Sequence, residues 1–248
     1  MKKIIVSIAL ALLAASTAHA ADLGGKLLKV GSDTTSPPME SVDTATGQIV
    51  GFDIDVVNAI CAKINCKAEF VTTGWDGIFA ALNQGNFDLV ASGVSITDER
   101  KKAMDFSEPY IINSQAILTR VEDEGLALDD FKSKGKKLSA QANTTDANVA
   151  ESIVGKDNVV AYDSFSASVI ALKNKDVDGV VINGANAASY EKEFAGELVV
   201  PIRDLQSDPL GLVFRTGDEN VAAFDEGLKA IKADGTLDTL INKYWSVK

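Results

Sequence analysis

The sequence predicts an α/β fold with largely parallel sheets flanked by helices. Three observations carry this reading. Strand-like apolar runs alternate with segments of helical periodicity along most of the chain. A near-repeat aligns ALNQGNFDLVASG (81–93) with ALKNKDVDGVVIN (171–183), offset by ninety residues without a gap. Two extended stretches, 108–120 and 200–214, mark where one series of elements ends and another begins.

In chain order, 27–32 (LLKVGS) reads as a short buried strand. Residues 51–65 read as a helix, because Phe52, Val56, Ile60 and Ile64 step by four and Gly51 or Asp53 stands near its start. Residues 68–73 (AEFVTT) form a strand, 77–85 a helix stopped by glycine, and 87–93 (FDLVASG) a strand. A helix is expected to begin near Thr97. The second series runs strand 137–141, helix 144–155, strand 158–163, helix 164–175, strand 177–183, helix 184–194 and strand 197–202. The tail, 219–245, reads as two helices broken at Asp234-Gly235. The near-repeat has two explanations. Either any strand–helix–strand unit reads this way, or the chain holds two similar lobes. In the second case Ser92-Gly93 and Asn183 occupy corresponding strand ends, where open α/β sheets bind ligands.

Composition excludes several functions. The first twenty residues, with two lysines, an apolar stretch and Ala18-His19-Ala20, read as a signal peptide cleaved after Ala20. The expected location is the periplasm. The remaining 228 residues hold 22 basic and 35 acidic side chains and no histidine. A Ser-His-Asp triad and a histidine-ligated metal are thereby ruled out, and the negative surplus argues against nucleic acid as a partner. No phosphate-binding loop, dinucleotide fingerprint or CxxC is present. No cofactor and no metal are expected, and the chain is expected to be a monomer. Cys61 and Cys66 are either a disulfide or two buried thiols. Five residues of unbroken helix would hold their Cα atoms about 8–9 Å apart, so a bridge requires the helix to end near Asn65.

Four segments, GFDIDVVNAI, WDGIFAAL, SGVSITDERKKAMDFSEPY and ADGTLDTLINKYW, resemble the periplasmic solute-binding proteins of polar amino acid ABC importers. The likeness spans nearly the whole chain after residue 20. It implies a two-lobed fold with two mostly parallel sheets joined by two hinge strands, closing over a ligand. The expected lobes are 21–111 with 208–248, and 112–207. The implied partners are a small-molecule ligand, expected to be an amino acid, and an ABC transporter permease. Enzymatic activity is not expected. Two alternatives are a cyclohexadienyl dehydratase-like enzyme, which would need a carboxylic general acid beyond the arginine, and a ligand sensor for a membrane receptor.

The resemblance also implies residue roles. Arg100 matches the arginine that grips the ligand carboxylate, and Ser95 and Gly93 match groups that assist through a hydroxyl and the main chain. Asp33 matches an acid at the mouth of the first lobe, and Trp75 an aromatic wall. Thr144 and Thr145 match a helix start in the second lobe, with Gln141 facing the crevice. Each type suits a zwitterion: guanidinium forks onto carboxylate, and a helix start offers unpaired N–H groups. The plainer roles are an Arg100 ion pair with Asp98 or Glu99, a capping threonine and a core tryptophan. Three positions depart from the family pattern: Asn183 where Asp is frequent, Asn143 where Gly is, and Ser36 where an aromatic is.

Overall fold

The computed structural model describes residues 21–245. The segment read as a signal peptide lies outside them. The first elements are β1 (Lys26–Ser32), β2 (Thr35–Ser36), β3 (Glu40–Val42), β4 (Ile49–Val50), α1 (Phe52–Ile64), β5 (Cys66–Thr72), α2 (Ile78–Asn83) and β6 (Leu89–Val90). Next come β7 (Met104–Phe106), the long β8 (Ile111–Arg120), α3 (Leu128–Ser133), β9 (Leu138–Gln141), α4 (Thr145–Val154), β10 (Val159–Tyr162) and α5 (Phe165–Lys173). The chain continues through β11 (Gly179–Asn183), α6 (Gly184–Glu193), β12 (Leu198–Ile202), β13 (Ser207–Leu210), β14 (Val213–Arg215), α7 (Asn220–Ala233) and α8 (Thr236–Trp245).

Two principal sheets result. The first has the order β5-β1-β6-β14-β7, the second β10-β9-β11-β8-β12 with β13 added on β8. Each has a parallel part, β5-β1-β6 and β10-β9-β11, built by helical crossovers. Each is then extended by antiparallel strands that arrive from the connections between the sheets. β8 serves both regions. Its residues 115–120 pair within the second sheet, while Ile111 to Ser114 pair with Leu210 to Ser207 of β13. This antiparallel pair is where the chain passes twice between lobes. The short sheet β2-β3-β4 sits beside the first.

Each sheet buries both faces. On the first, Phe52, Val56, Ile60 and Ile64 of α1 pack with Phe224 and Leu228 of α7 against Leu28 and Val30. On its other face Ile78, Leu82 and Phe87 meet Val90 and Val213. Fully burying a side chain of this size contributes about 1.5–3 kcal/mol, which is why the four-residue step of α1 was a dependable signal. α1 and α7 approach closely at Gly227, where an added Cβ would stand 2.8 Å from Ile60 Cγ2. The two halves of the near-repeat share more than shape. Asp88 Oδ2 accepts from Lys29 N at 2.7 Å, and Asp178 Oδ2 accepts from Lys137 N at 2.8 Å. In both copies the aspartate ties the turn to the backbone of the neighbouring parallel strand, within β1 at Lys29 and just before β9 at Lys137, so the repeat is one structural unit used twice.

The two cysteines are bridged, with Cα atoms 4.5 Å apart. The geometric condition read from the sequence is met: α1 stops at Ile64, and Asn65 turns into the left-handed region at φ 51°. One expected element is corrected. No long helix starts near Thr97; the segment makes only a single 3-10 turn, Arg100–Lys102. Met104 to Phe106 are taken into the β7–β14 ladder, which leaves too few residues for a helix.

Candidate functional site

One crevice between the lobes, with about 390 Å³ of unfilled space including its mouth, is lined by all ten residues that the sequence singled out. Topology brings them together. Asp33 follows β1, Ser92 and Gly93 follow β6, Gln141 ends β9 and Asn183 ends β11. These are carboxyl ends of strands in the parallel part of each sheet, and the two lobes present them to each other. Trp75 lies between β5 and α2, Thr144 and Thr145 open α4, and Ser95 and Arg100 lie between β6 and β7. Gly93 and Asn183 show how near the lobes come. A Cβ on Gly93 would lie 4.0 Å from Asn183 Nδ2, and Gly93 holds φ 56°, a conformation that glycine adopts without strain.

Polar contacts span the crevice. Gln141 Nε2 donates to Asp33 Oδ2 at 2.7 Å, and Trp75 Nε1 donates to the Asn143 carbonyl at 3.3 Å. The hydroxyls of Ser95 and Thr145 are 3.1 Å apart. Toward the rim, Asn186 Nδ2 donates to the Pro37 carbonyl at 2.9 Å. Thr144 also caps α4, its hydroxyl accepting from Ala147 N at 3.2 Å, so capping and lining are one role here rather than two.

Arg100 stands at the junction. Its Nη1 donates to the Ser95 carbonyl at 2.9 Å, and its Cζ lies 5.4 Å from the ring centroids of both Trp75 and Phe79. Among the described residues, no carboxylate oxygen comes within ion-pairing distance of this guanidinium; the nearest charges that act on it are Asp146, Asp208 and Glu99. Burial lowers its pKa, the sign of a cation held partly out of water. The helix dipole expected beside it from its own segment is missing. α4, ten residues long and entering from the other lobe, supplies one instead.

At the floor of the crevice, with Glu40 part of the lining and Asp53 behind it, lies a buried acidic network that sequence reading missed. Gly93 N donates to Asp53 Oδ2 at 2.7 Å, and Tyr110 OH donates to Asp53 Oδ1 at 2.8 Å. Ser92 Oγ accepts from Asp33 N at 3.0 Å and donates to Glu40 Oε1 at 3.2 Å. Desolvation pushes Asp53 up to about 6 and Glu40 well above the usual carboxylate range, with the Asp53 charge also acting on Glu40. Glu40 Oε2 finds no protein donor; a proton held on it and directed at Asp53 satisfies the pair. Asp146, in the first turn of α4, is pushed up to about 7, by burial first and then by Asp208.

These three groups bind protons more tightly folded than unfolded, where carboxyls titrate near ~4. The contribution of these three groups to stability is therefore fullest below the unfolded value and is lost as pH rises through the folded values of about 6 and about 7. The melting temperature of the ligand-free protein is expected to fall between pH 5.5 and pH 8. A melting temperature that holds or climbs over that interval would contradict the assignment.

Comparison with known proteins adds the following. The profile of the bacterial extracellular solute-binding proteins, family 3, matches residues 28–247. A probable histidine-binding protein of Neisseria gonorrhoeae is 34% identical over 227 residues, covering 90% of this chain and 84% of its own. The ABC transporter arginine-binding protein 1 of Escherichia coli K12 is 31% identical, with 99% of each chain covered. Among solved structures, the arginine-, lysine-, histidine-binding protein ArtJ of Geobacillus stearothermophilus superimposes with a TM-score of 0.82 at 31% identity, covering 90% of this chain and 96% of its own.

Proposed function

This chain belongs to the bacterial extracellular solute-binding proteins, family 3, and from that premise we propose that it captures a polar L-amino acid between its lobes and delivers it to an ABC importer permease. On this reading the first twenty residues are a signal peptide, and the mature protein starts at Ala21 and works in the periplasm. The lobes are 21–111 with 208–248, and 112–207, and they close about the β8–β13 pair. The observation that carries the reading is a half-buried Arg100 without an ion pair among the described residues, facing the first turn of a helix from the opposite lobe. That arrangement suits a carboxylate held by the guanidinium, the Ser95 hydroxyl and the N–H groups that open α4.

The ligand nitrogen goes to the opposite wall. Asp33 is its acidic acceptor, and Gln141 and Asn183 add neutral polar atoms. Asn183 brings no charge, so Asp33 takes the larger share of the ammonium. The named ligands of the relatives, arginine and histidine, favour a side chain with further nitrogen. Trp75 flanks that side chain. Binding rather than catalysis is the reading that family membership favours. Glu191, the first acid after the end of β11, accepts from Val200 N at 2.9 Å and from Arg203 at 2.9 Å and does not line the crevice.

Calorimetric titration of the purified protein with the twenty L-amino acids tests this. One or more nitrogen-bearing ligands are expected to bind at micromolar or lower concentration. Failure of all twenty would sink the proposal.

A further inference from the structure

Asp146 has a place in the crevice that the proposed binding mode leaves unused. It lies in the first turn of α4, is 3% exposed and lines the crevice. Its Oδ1 is buried and without a hydrogen-bond partner. It acts electrostatically on Arg100, yet the two make no ion pair, because the guanidinium turns its Nη1 to the Ser95 carbonyl. The space between the Arg100 guanidinium and the unpartnered Oδ1 of Asp146 is where the ligand carboxylate would enter.

The other charged group that faces Asp146 is Asp208 on β13. It is held by Gln115 Nε2 at 3.0 Å and Gln206 Nε2 at 2.9 Å. Behind Arg100 stands Glu99. The elements packed on the far side of α4 bring apolar groups, Phe131 of α3, Leu138 of β9 and Val181 of β11. Asp146 therefore has a single cation to balance it, and an arriving carboxylate competes for that cation. Two carboxylates sharing one guanidinium at low dielectric cannot both stay ionised without a large cost. A protonated carboxyl removes the repulsion and becomes an O–H donor to the newcomer.

We propose that Asp146 takes up a proton from solvent as the ligand carboxylate settles beside Arg100, so that capture of an amino acid is coupled to proton binding. The inference rests on the reading of Arg100 given above. Asp146 is pushed up to about 7 before any ligand enters, so the proton is already half in place near neutrality. Below that value binding is insensitive to pH. Above it each ligand must bring a proton with it, and affinity falls.

The test uses L-arginine and L-glutamine, neither of which changes charge between pH 6 and 8. Calorimetry at pH 8 in buffers of different ionisation enthalpy reads the proton count directly. Wild type is expected to take up close to one proton per ligand, and its affinity to weaken ~10-fold from pH 6 to pH 8. Asp146→Asn is expected to bind ~10-fold more tightly than wild type at pH 8, with a flat profile and without that proton. Comparing the two proteins removes contributions from Glu40 and Asp53. A wild-type protein that binds with no proton uptake overturns the proposal. So does an Asn variant that loses affinity at every pH, since Asp146 would then be an ionised acceptor for the ligand nitrogen. If none of the twenty L-amino acids binds, or if Arg100→Ala binds as well as wild type, the crevice reading itself fails and this inference with it.

Discussion

Arg100→Ala is expected to weaken amino acid binding ~10²- to 10⁴-fold while leaving the fold intact. Two charge-assisted hydrogen bonds from guanidinium to carboxylate are each worth about 1.5–3 kcal/mol net, and each 1.4 kcal/mol is a factor of about ten in affinity. The side chain has no ion pair among the described residues and its polar contact is to the Ser95 carbonyl, and Asp146, which loses its balancing cation, is raised enough to take up a proton instead. Loss of stability should therefore stay near ~1 kcal/mol, the usual value of one hydrogen bond. Arg100→Lys is the sharper companion. An ammonium keeps the charge but loses the fork and the flat contact with Trp75 and Phe79, so affinity should recover only in part. Titration of both variants decides the matter. A change of less than threefold in the alanine variant would remove Arg100 from the binding role.

Much of this site could be read before any coordinates because its parts obey local rules. Strands of a parallel sheet deliver their carboxyl ends to one side, so Ser92-Gly93 and Asn183 could be placed at corresponding strand ends, one in each sheet, while Asp33 and Gln141 were supplied by the family resemblance. Thr144 announces a helix start by its chemistry, and α1 by its period of four. What stayed hidden has no periodic or compositional mark. Asp53 looks like an acid near the start of a helix, yet it is fully buried and its donors come from Gly93 and Tyr110, 40 and 57 residues away. Glu40 and Met39 sit in a segment that reads as a polar loop, and Asp146 reads as a first-turn acid serving only its own helix. The failed helix after Thr97 has the opposite cause. Its local signal was sound, but pairing of Met104 with Arg215 across β7 and β14 claimed the residues it needed.

Asp53→Ala should be among the most damaging single changes in the first lobe, costing about 3–5 kcal/mol. Removing the carboxylate leaves the Gly93 N–H and the Tyr110 hydroxyl buried without acceptors, and each orphaned group costs about 1–3 kcal/mol. It also takes away the partner that receives the Glu40 proton. For a chain of this size that corresponds to a fall in melting temperature on the order of 10 °C. Asp53→Asn separates the causes. Its amide oxygen can still accept one of the two bonds, so the loss should be smaller, and it no longer titrates, so the decline of stability toward pH 8 should flatten. The consequence reaches function, because Gly93 N is the tether that holds the end of β6 at the crevice. The alanine variant, where it folds, should therefore bind its amino acid more weakly although Asp53 is absent from the crevice lining. Urea unfolding at pH 7 measures the first effect and titration the second. A loss below ~1 kcal/mol would show that the network beneath the crevice is not what holds its floor in place.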